Sequence, residues 1–347
     1  MSDDVLIRRD GLAGRITLNR PDVLNALTWD MCLAIEAALD RWAADDAVAF
    51  VMIDAAPGRA FCAGGDIRDM YEAALEERWD YGPRFWTDEY RMNAKLFRFP
   101  KVVVSFLHGF TMGGGVGVGC HASHRIVDDT SRIAMPECGI GLVPDVGGSL
   151  ILARAPGRLG EFLGTTGFRM GPADAIHAGF ADYHVPSDWE GLKAWLVETG
   201  DLSAIDQNAK PPPEGSLAAW QEEIDGLFAG STLGDIDRAL DGAEGPAAEA
   251  ARAALAANSP LSMACAVEML HRLGEDPSIA AALGMEARFT FRAAREADFV
   301  EGIRAAVIDK DRAPRWRHAG PRDVPAVDVS RMLQPLGDAA PDLEESA

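Results

Sequence analysis

The 347-residue sequence predicts an α/β protein with an α-helical C-terminal region. Short β-branched runs alternate with helical patterns through the first half, which implies parallel strand pairing. Two segments share one plan: FVMIDAAPGRAFCAGGDI at 50–67 and VVVSFLHGFTMGGGVGVG at 102–119 each read strand, loop, Gly-containing turn, helix. That repetition points to stacked ββα units. Beyond about residue 200 the strand signal disappears.

Taken in order, Ile16-Thr17-Leu18 is a strand that ends at Asn19-Arg20-Pro21. Residues 28–43 (TWDMCLAIEAALDRWA) place apolar side chains at helical spacing behind Thr28, a fitting N-cap. Phe50–Ile53 and Val102–Phe106 are buried strands, and His121 and His124 lie three apart on an expected helix. The Pro-rich 207–216 stretch is a linker or surface excursion, and 217–300 is helical in pattern. The chain beyond Arg322 reads as loosely ordered, with a solvated acidic end at 341–347. These changes divide the chain into a core over 1–200 that carries the active site and a mainly α-helical region over 201–347.

The 33 Lys and Arg against 54 Asp and Glu give a net charge of −21, which disfavours a general nucleic-acid binder. An anionic small ligand remains open, because backbone N–H groups and a few arginines can hold it. No apolar run reaches the ~20 residues of a membrane span. The opening MSDDVLIRRD resembles neither a secretory signal nor a transit peptide, so a cytoplasmic location is expected. Five cysteines without C-x-x-C spacing read as free, mostly buried thiols. The tryptophans, Trp189, Trp195 and Trp220 among them, read as packing anchors.

Phosphate-loop, nucleophile-elbow and H-E-x-x-H patterns are missing from the sequence. What carries chemistry is a pair of Gly-rich turns, Ala63-Gly64-Gly65-Asp66 and Gly113-Gly114-Gly115. Each can aim a backbone N–H outward, and two such donors converging on one point form an oxyanion hole. Either turn alone is explained as well by close helix–strand packing. A third element holds Glu137 and Asp145, eight residues apart in a Gly- and Pro-rich loop with apolar neighbours. Burial there raises a carboxyl pKa and suits it to act as base, acid or nucleophile. Cys138 adjoins Glu137 but has no evident His partner, so a packed thiol is the better reading.

FCAGGDI at 61–67, HGFTMGGGVG at 108–117 and the MPE…PDVGG stretch resemble the crotonase (enoyl-CoA hydratase/isomerase) superfamily. NRPDVLNAL at 19–27, TTGFRM at 165–170, NSPLS at 258–262, DFVEGIRA at 298–305 and DKDRAPRW at 309–316 extend the likeness over most of the chain. The resemblance implies a crotonase-like spiral of repeated ββα units. Hydratases of this superfamily place a catalytic carboxylate shortly after the GGG turn, where this chain has Gly117; their second carboxylate matches Glu137. Asp145 stands where hydratases usually have Gly, a pattern similar to the 3-hydroxyisobutyryl-CoA hydrolase branch.

What the resemblance implies is thioester hydrolysis that yields 3-hydroxyisobutyrate and CoA, a step of valine breakdown. The N–H groups of Gly65 and Gly114 hold the thioester oxygen, Glu137 attacks or activates water, and Asp145 orients the 3-hydroxyl or assists proton transfer. Ala63, Gly64, Asp66 and Gly113 border the acyl-CoA, with the loop 59–66 along the CoA moiety. Glu89 matches a substrate-contacting residue, although an exposed helix carboxylate explains it equally well. CoA is substrate, no other cofactor or metal is implied, and a homo-oligomer is compatible. Enoyl-CoA hydration, 3-hydroxypropionyl-CoA hydrolysis and non-catalytic acyl-CoA binding are the alternatives.

Overall fold

A computed structural model describes residues 3–187 and 189–343. The chain forms two compact units, each assembled from separate stretches. The first takes residues up to Gly65 together with Arg91–Ala134 and Arg169–Ser216. The second takes Asp66–Tyr90, Met135–Phe168 and the chain from Leu217 onward. The division therefore does not follow the expected boundary at residue 200.

All strands among the described residues belong to the first unit. In chain order they are β1 (Val5–Asp10), β2 (Ala13–Leu18), β3 (Phe50–Ala55), β4 (Ala60–Cys62), β5 (Val103–Phe106), β6 (Phe110–Met112), β7 (His124–Val127), β8 (Arg132–Ala134) and β9 (Tyr183–His184). They make a six-stranded sheet ordered β1-β2-β3-β5-β7-β9 and a three-stranded sheet ordered β4-β6-β8. Only β1–β2 is antiparallel; every later pairing is parallel. Each strand–strand unit adds one strand to each sheet, so β3–β4, β5–β6 and β7–β8 are three successive turns of a spiral. The repeat read from two segments thus has a third member.

Every residue of β3 is buried, as expected for a parallel strand covered on both faces. Phe50, Met52, Val104, Phe106 and Ile126 on one face pack against Leu192, Leu196 and Ile205 from the helices Trp189–Thr199 and Ser203–Asn208. Asp54 ends that buried row and is neutralised by Arg15 at 2.6 Å and Lys193 at 3.1 Å. Burial opposes its charge, but Arg15, Lys193 and Thr17 hold its carboxyl below the usual value. Thr28 caps the helix Trp29–Ala43, its side chain accepting from the Met31 N–H at 3.3 Å.

The regular secondary structure among the described residues of the second unit is all helical. Three sequence expectations are corrected. His124 starts β7 and stacks on Tyr183, because β-pairing with Val104 overrides the helical reading of 121–124. Trp195 is 51% exposed and is no packing anchor. The segment after Arg322 is docked: the helix Ala326–Met332 buries Met332 and Leu333. Guanidiniums of Arg272, Arg288 and Arg292 donate to the carbonyls of residues 332–334. Residues 344–347 of the acidic end lie outside the described residues, while Leu343 is buried. No helix of the described residues is long and apolar enough to cross a membrane.

Candidate active site

The two Gly-rich turns meet within the first unit because β4 and β6 are neighbours, with Cys62 paired to Thr111. Gly64 has φ +115°, and a Cβ built on it lies 3.4 Å from the Met112 carbonyl oxygen. A Cβ on Gly115 would stand 2.4 Å from the Cys62 carbonyl oxygen, which no side chain tolerates. Gly113 adopts φ +48° before the short helix Gly114–Gly119. Among the described residues neither the Gly65 nor the Gly114 N–H donates to a main-chain acceptor, which leaves both able to bind an oxygen. Ala63 and Leu27 tie the first turn down through bonds to Leu24 and Gly64. Gly117 is buried inside that helix.

The carboxylate loop belongs to the second unit. Glu137 opens a single 3-10 turn, Glu137–Ile140, which Gly141 closes in the left-handed region at φ +74°. A Cβ on Gly141 would sit 2.4 Å from the backbone of Asp298, and one on Gly302 would sit 2.1 Å from the Ile140 oxygen. Two absent side chains thus let the turn lie directly on the helix Phe299–Ile303. Ser259 pins the turn further: its N–H donates to the Cys138 carbonyl at 2.9 Å, and its hydroxyl to Asp298 at 2.7 Å. The family-type stretches 258–262 and 298–305 are thereby explained as the frame that holds Glu137.

After Pro144 and Asp145 the chain passes through Val146 at φ +54° and Gly147 at φ +78°. A β-branched residue in that region is a strained outlier, kept only where surroundings fix it. Here Glu286, on the helix Ile279–Glu296, accepts from the N–H groups of Gly147 (2.9 Å) and Ser149 (3.1 Å) and from the Ser149 hydroxyl. Tyr90 donates to Asp145 Oδ2 at 3.0 Å and has Thr290 Oγ1 at 3.2 Å; Trp86 also hydrogen-bonds Asp145. Both aromatic residues sit on the helix Tyr81–Phe97 with Glu89.

Four carboxyl groups are therefore buried in one unit: Glu89, Glu137, Asp145 and Glu286 are each no more than 5% exposed. Unlike Asp54, none forms an ion pair with a described basic residue. Burial raises all four, and repulsion from Asp145 adds to it at Glu89, Glu137 and Glu286. Glu137 lies well above the usual carboxyl range through burial and then Asp145, with its own N–H opposing. Glu89 rises for the same two causes, and Glu286 is pushed up to about 8 by burial and Asp145. Burial takes Asp145 to about 7 against the bonds from Tyr90, its own N–H and Trp86. Such a set cannot be fully ionised near neutrality, and it can store and pass protons. Glu137 Oε2 is buried without a hydrogen-bond partner among the described residues.

The sequence-predicted Glu89, Glu137 and Asp145 thus come together, and Glu89 is not the exposed helix carboxylate weighed as its alternative. Ala63, Gly64, Gly65, Gly113 and Gly114 come together in their own unit, with Asp66 half-buried just after them. Glu286, Tyr90, Trp86 and Thr290 escaped the sequence reading; the signal was an acidic residue on the apolar face of GMEARFTF. Cys138 is an inert thiol, raised by burial and donating to the Gly164 carbonyl at 3.3 Å. Among the described residues no group of three or more His, Cys, Asp or Glu is arranged to hold a metal ion.

Residues 13–333 match the profile of the family described as Enoyl-CoA hydratase/isomerase. The chain is 34% identical to human mitochondrial 3-hydroxyisobutyryl-CoA hydrolase, over 97% of its length and 90% of that protein. The crystal structure of an enoyl-CoA hydratase from Rhodobacter sphaeroides is 55% identical, with TM-score 0.93 over 98% of this chain and 99% of that one. A carnitinyl-CoA dehydratase from Mycobacterium thermoresistibile is 39% identical, with TM-score 0.93 over 99% of both chains.

Proposed function

The chain belongs to the enoyl-CoA hydratase/isomerase family, and we propose that within it this protein hydrolyses the thioester of 3-hydroxyisobutyryl-CoA. The observation that carries the reading is the buried, coupled pair Glu137 and Asp145, with Gly117 where a hydratase needs its other carboxylate. Relatives named as hydrolases of this substrate support it.

In this reading the N–H groups of Gly65 and Gly114 receive the thioester oxygen as it becomes anionic, and losing one donor raises the barrier by ~3 kcal/mol. Ionised Glu137 either bonds to the acyl carbon, expelling CoA as thiolate and leaving an anhydride for water to open, or takes the proton of an attacking water. Asp145 receives the 3-hydroxyl or relays the proton, and the exposed Arg59 begins the loop that borders CoA. Because Glu137 works ionised and its pKa is raised, thiol release rises with pH over a range above that of an ordinary carboxyl. The product places the reaction in valine breakdown. Five buried free thiols suit a reducing compartment, in keeping with the proposed cytoplasmic location, while the named relatives are mitochondrial.

The rival reading, enoyl-CoA hydration, takes its support from the name of the Rhodobacter sphaeroides structure. The test is release of free CoA thiol from (S)-3-hydroxyisobutyryl-CoA, with crotonyl-CoA hydration followed in parallel. Thiol release that falls by about 10³-fold or more in Glu137→Gln supports the hydrolase. Hydration without thiol release replaces it by the hydratase. Thiol release undiminished by Glu137→Gln removes the mechanism.

A further inference from the structure

The geometry points to Glu286 as a positioning residue that sets the backbone after Asp145 and so aims the Asp145 carboxylate. The inference rests on the hydrolase reading and adds to it a residue on a distant helix. All three of its hydrogen bonds go to two of the three residues that follow the strained Val146: the N–H of Gly147, and the N–H and hydroxyl of Ser149. The N–H groups of Gly147 and Ser149, on either side of Gly148, converge on one carboxyl group and make a polar concavity, here filled by a side chain of the protein itself. With Glu286 in place, Val146 is held at φ +54°, a conformation its β-branched side chain resists.

A second path runs from the same helix to the same carboxylate. Thr290, one turn after Glu286, meets the Tyr90 hydroxyl, and Tyr90 donates its single proton to Asp145 Oδ2. One rigid element therefore fixes both the backbone that follows Asp145 and the phenol that grips it. Glu286 is fully buried and forms no ion pair with a basic side chain among the described residues, an arrangement that costs stability where an amide would not. A group kept in so unfavourable a place has work that this replacement does not perform.

The test compares the full-length wild type with Glu286→Gln, in kinetics of thiol release and in crystal structures of both proteins. The amide cannot accept from both N–H groups and the hydroxyl, so Val146 relaxes to negative φ and Asp145 moves off Tyr90. Misplacement of about 1 Å lowers kcat on the order of 10²-fold, while KM rises by no more than about tenfold, because Asp145 supplies a single contact to the 3-hydroxyl. Ser149→Ala, which removes one of the three bonds, gives a smaller loss of kcat in the same direction. A Glu286→Gln structure that keeps the Tyr90–Asp145 contact and Val146 unchanged overturns the inference, as does an unchanged kcat. If wild type releases no thiol, the hydrolase reading fails and the crystal structures alone decide this one. If Glu286→Gln does not fold, Ser149→Ala carries both readouts.

Discussion

Replacing Asp145 by Asn is expected to make the protein more resistant to unfolding at alkaline pH and to cost it activity. An aspartate in the unfolded chain ionises near 3.8, whereas in the fold burial raises Asp145 to about 7. The folded state therefore holds a proton that the unfolded state has already released. Stability contributed by this group is complete below pH 3.8 and is lost as pH rises to about 7, after which the loss is constant. At 1.36 kcal/mol per pH unit, that interval corresponds to about 4 kcal/mol as an upper value. Asn does not titrate, so Asp145→Asn lacks this loss. It exchanges the bonds from Tyr90 and Trp86 for weaker ones, a penalty that does not vary with pH. The assay is urea unfolding of both proteins at pH 4.5, 6, 7 and 8.5. The variant minus wild-type difference should climb by about 2–4 kcal/mol across the series and then flatten. A difference flat in pH would refute the buried, proton-holding state assigned to Asp145.

Other consequences are equally direct. Gly141→Ala sets a left-handed residue with a Cβ against the Asp298 backbone, and should lower unfolding stability by about 3 kcal/mol and reduce turnover as Glu137 shifts. The cysteines are all buried, with Cys120 pushed up to about 12, so a thiol reagent at pH 8 should titrate fewer than about one in the native protein and all five after denaturation. Arg292→Ala removes donors to the carbonyls of Arg288, Met332 and Gln334. Hydrogen exchange of residues 326–334 should then quicken about tenfold, with the strands of the first unit unaffected.

Much of the architecture was legible because it depends on local rules. Thr28 announces its helix by capping chemistry, β3 and β5 by mostly apolar runs rich in β-branched residues, and the turns at 63–66 and 113–115 by glycines that close approach requires. Glu137 and Asp145 stood out because a loop with so much Gly and Pro gives a carboxylate no reason to lie among apolar residues. Glu286 and Tyr90 were not legible, since a buried acid on an amphipathic helix has the same spacing as an exposed one until its partners are known. Two of the three partners of Glu286 are main-chain N–H groups, which no letter of the sequence distinguishes. The docking of 326–334 failed to show for the same reason: three arginines meet carbonyl oxygens, and an acceptor of that kind is carried by every residue.

The parallel order of the large sheet also constrains the sequence of events as the chain folds. Val104 pairs with His124, twenty residues onward, whereas Val51 waits for Val103 and Ile126 for Tyr183, more than fifty residues away. Closing the short span costs about 1 kcal/mol less entropy than closing either long one. After the β1–β2 hairpin, the β5–β7 pairing is therefore the cheapest this sheet has and the cheapest of its parallel ones, and the segment it encloses is the one that holds the Gly113–Gly115 turn. Strands whose partners are this distant fold slowly, so a chain emerging from the ribosome would complete that glycine turn well before β9 arrives to finish the sheet.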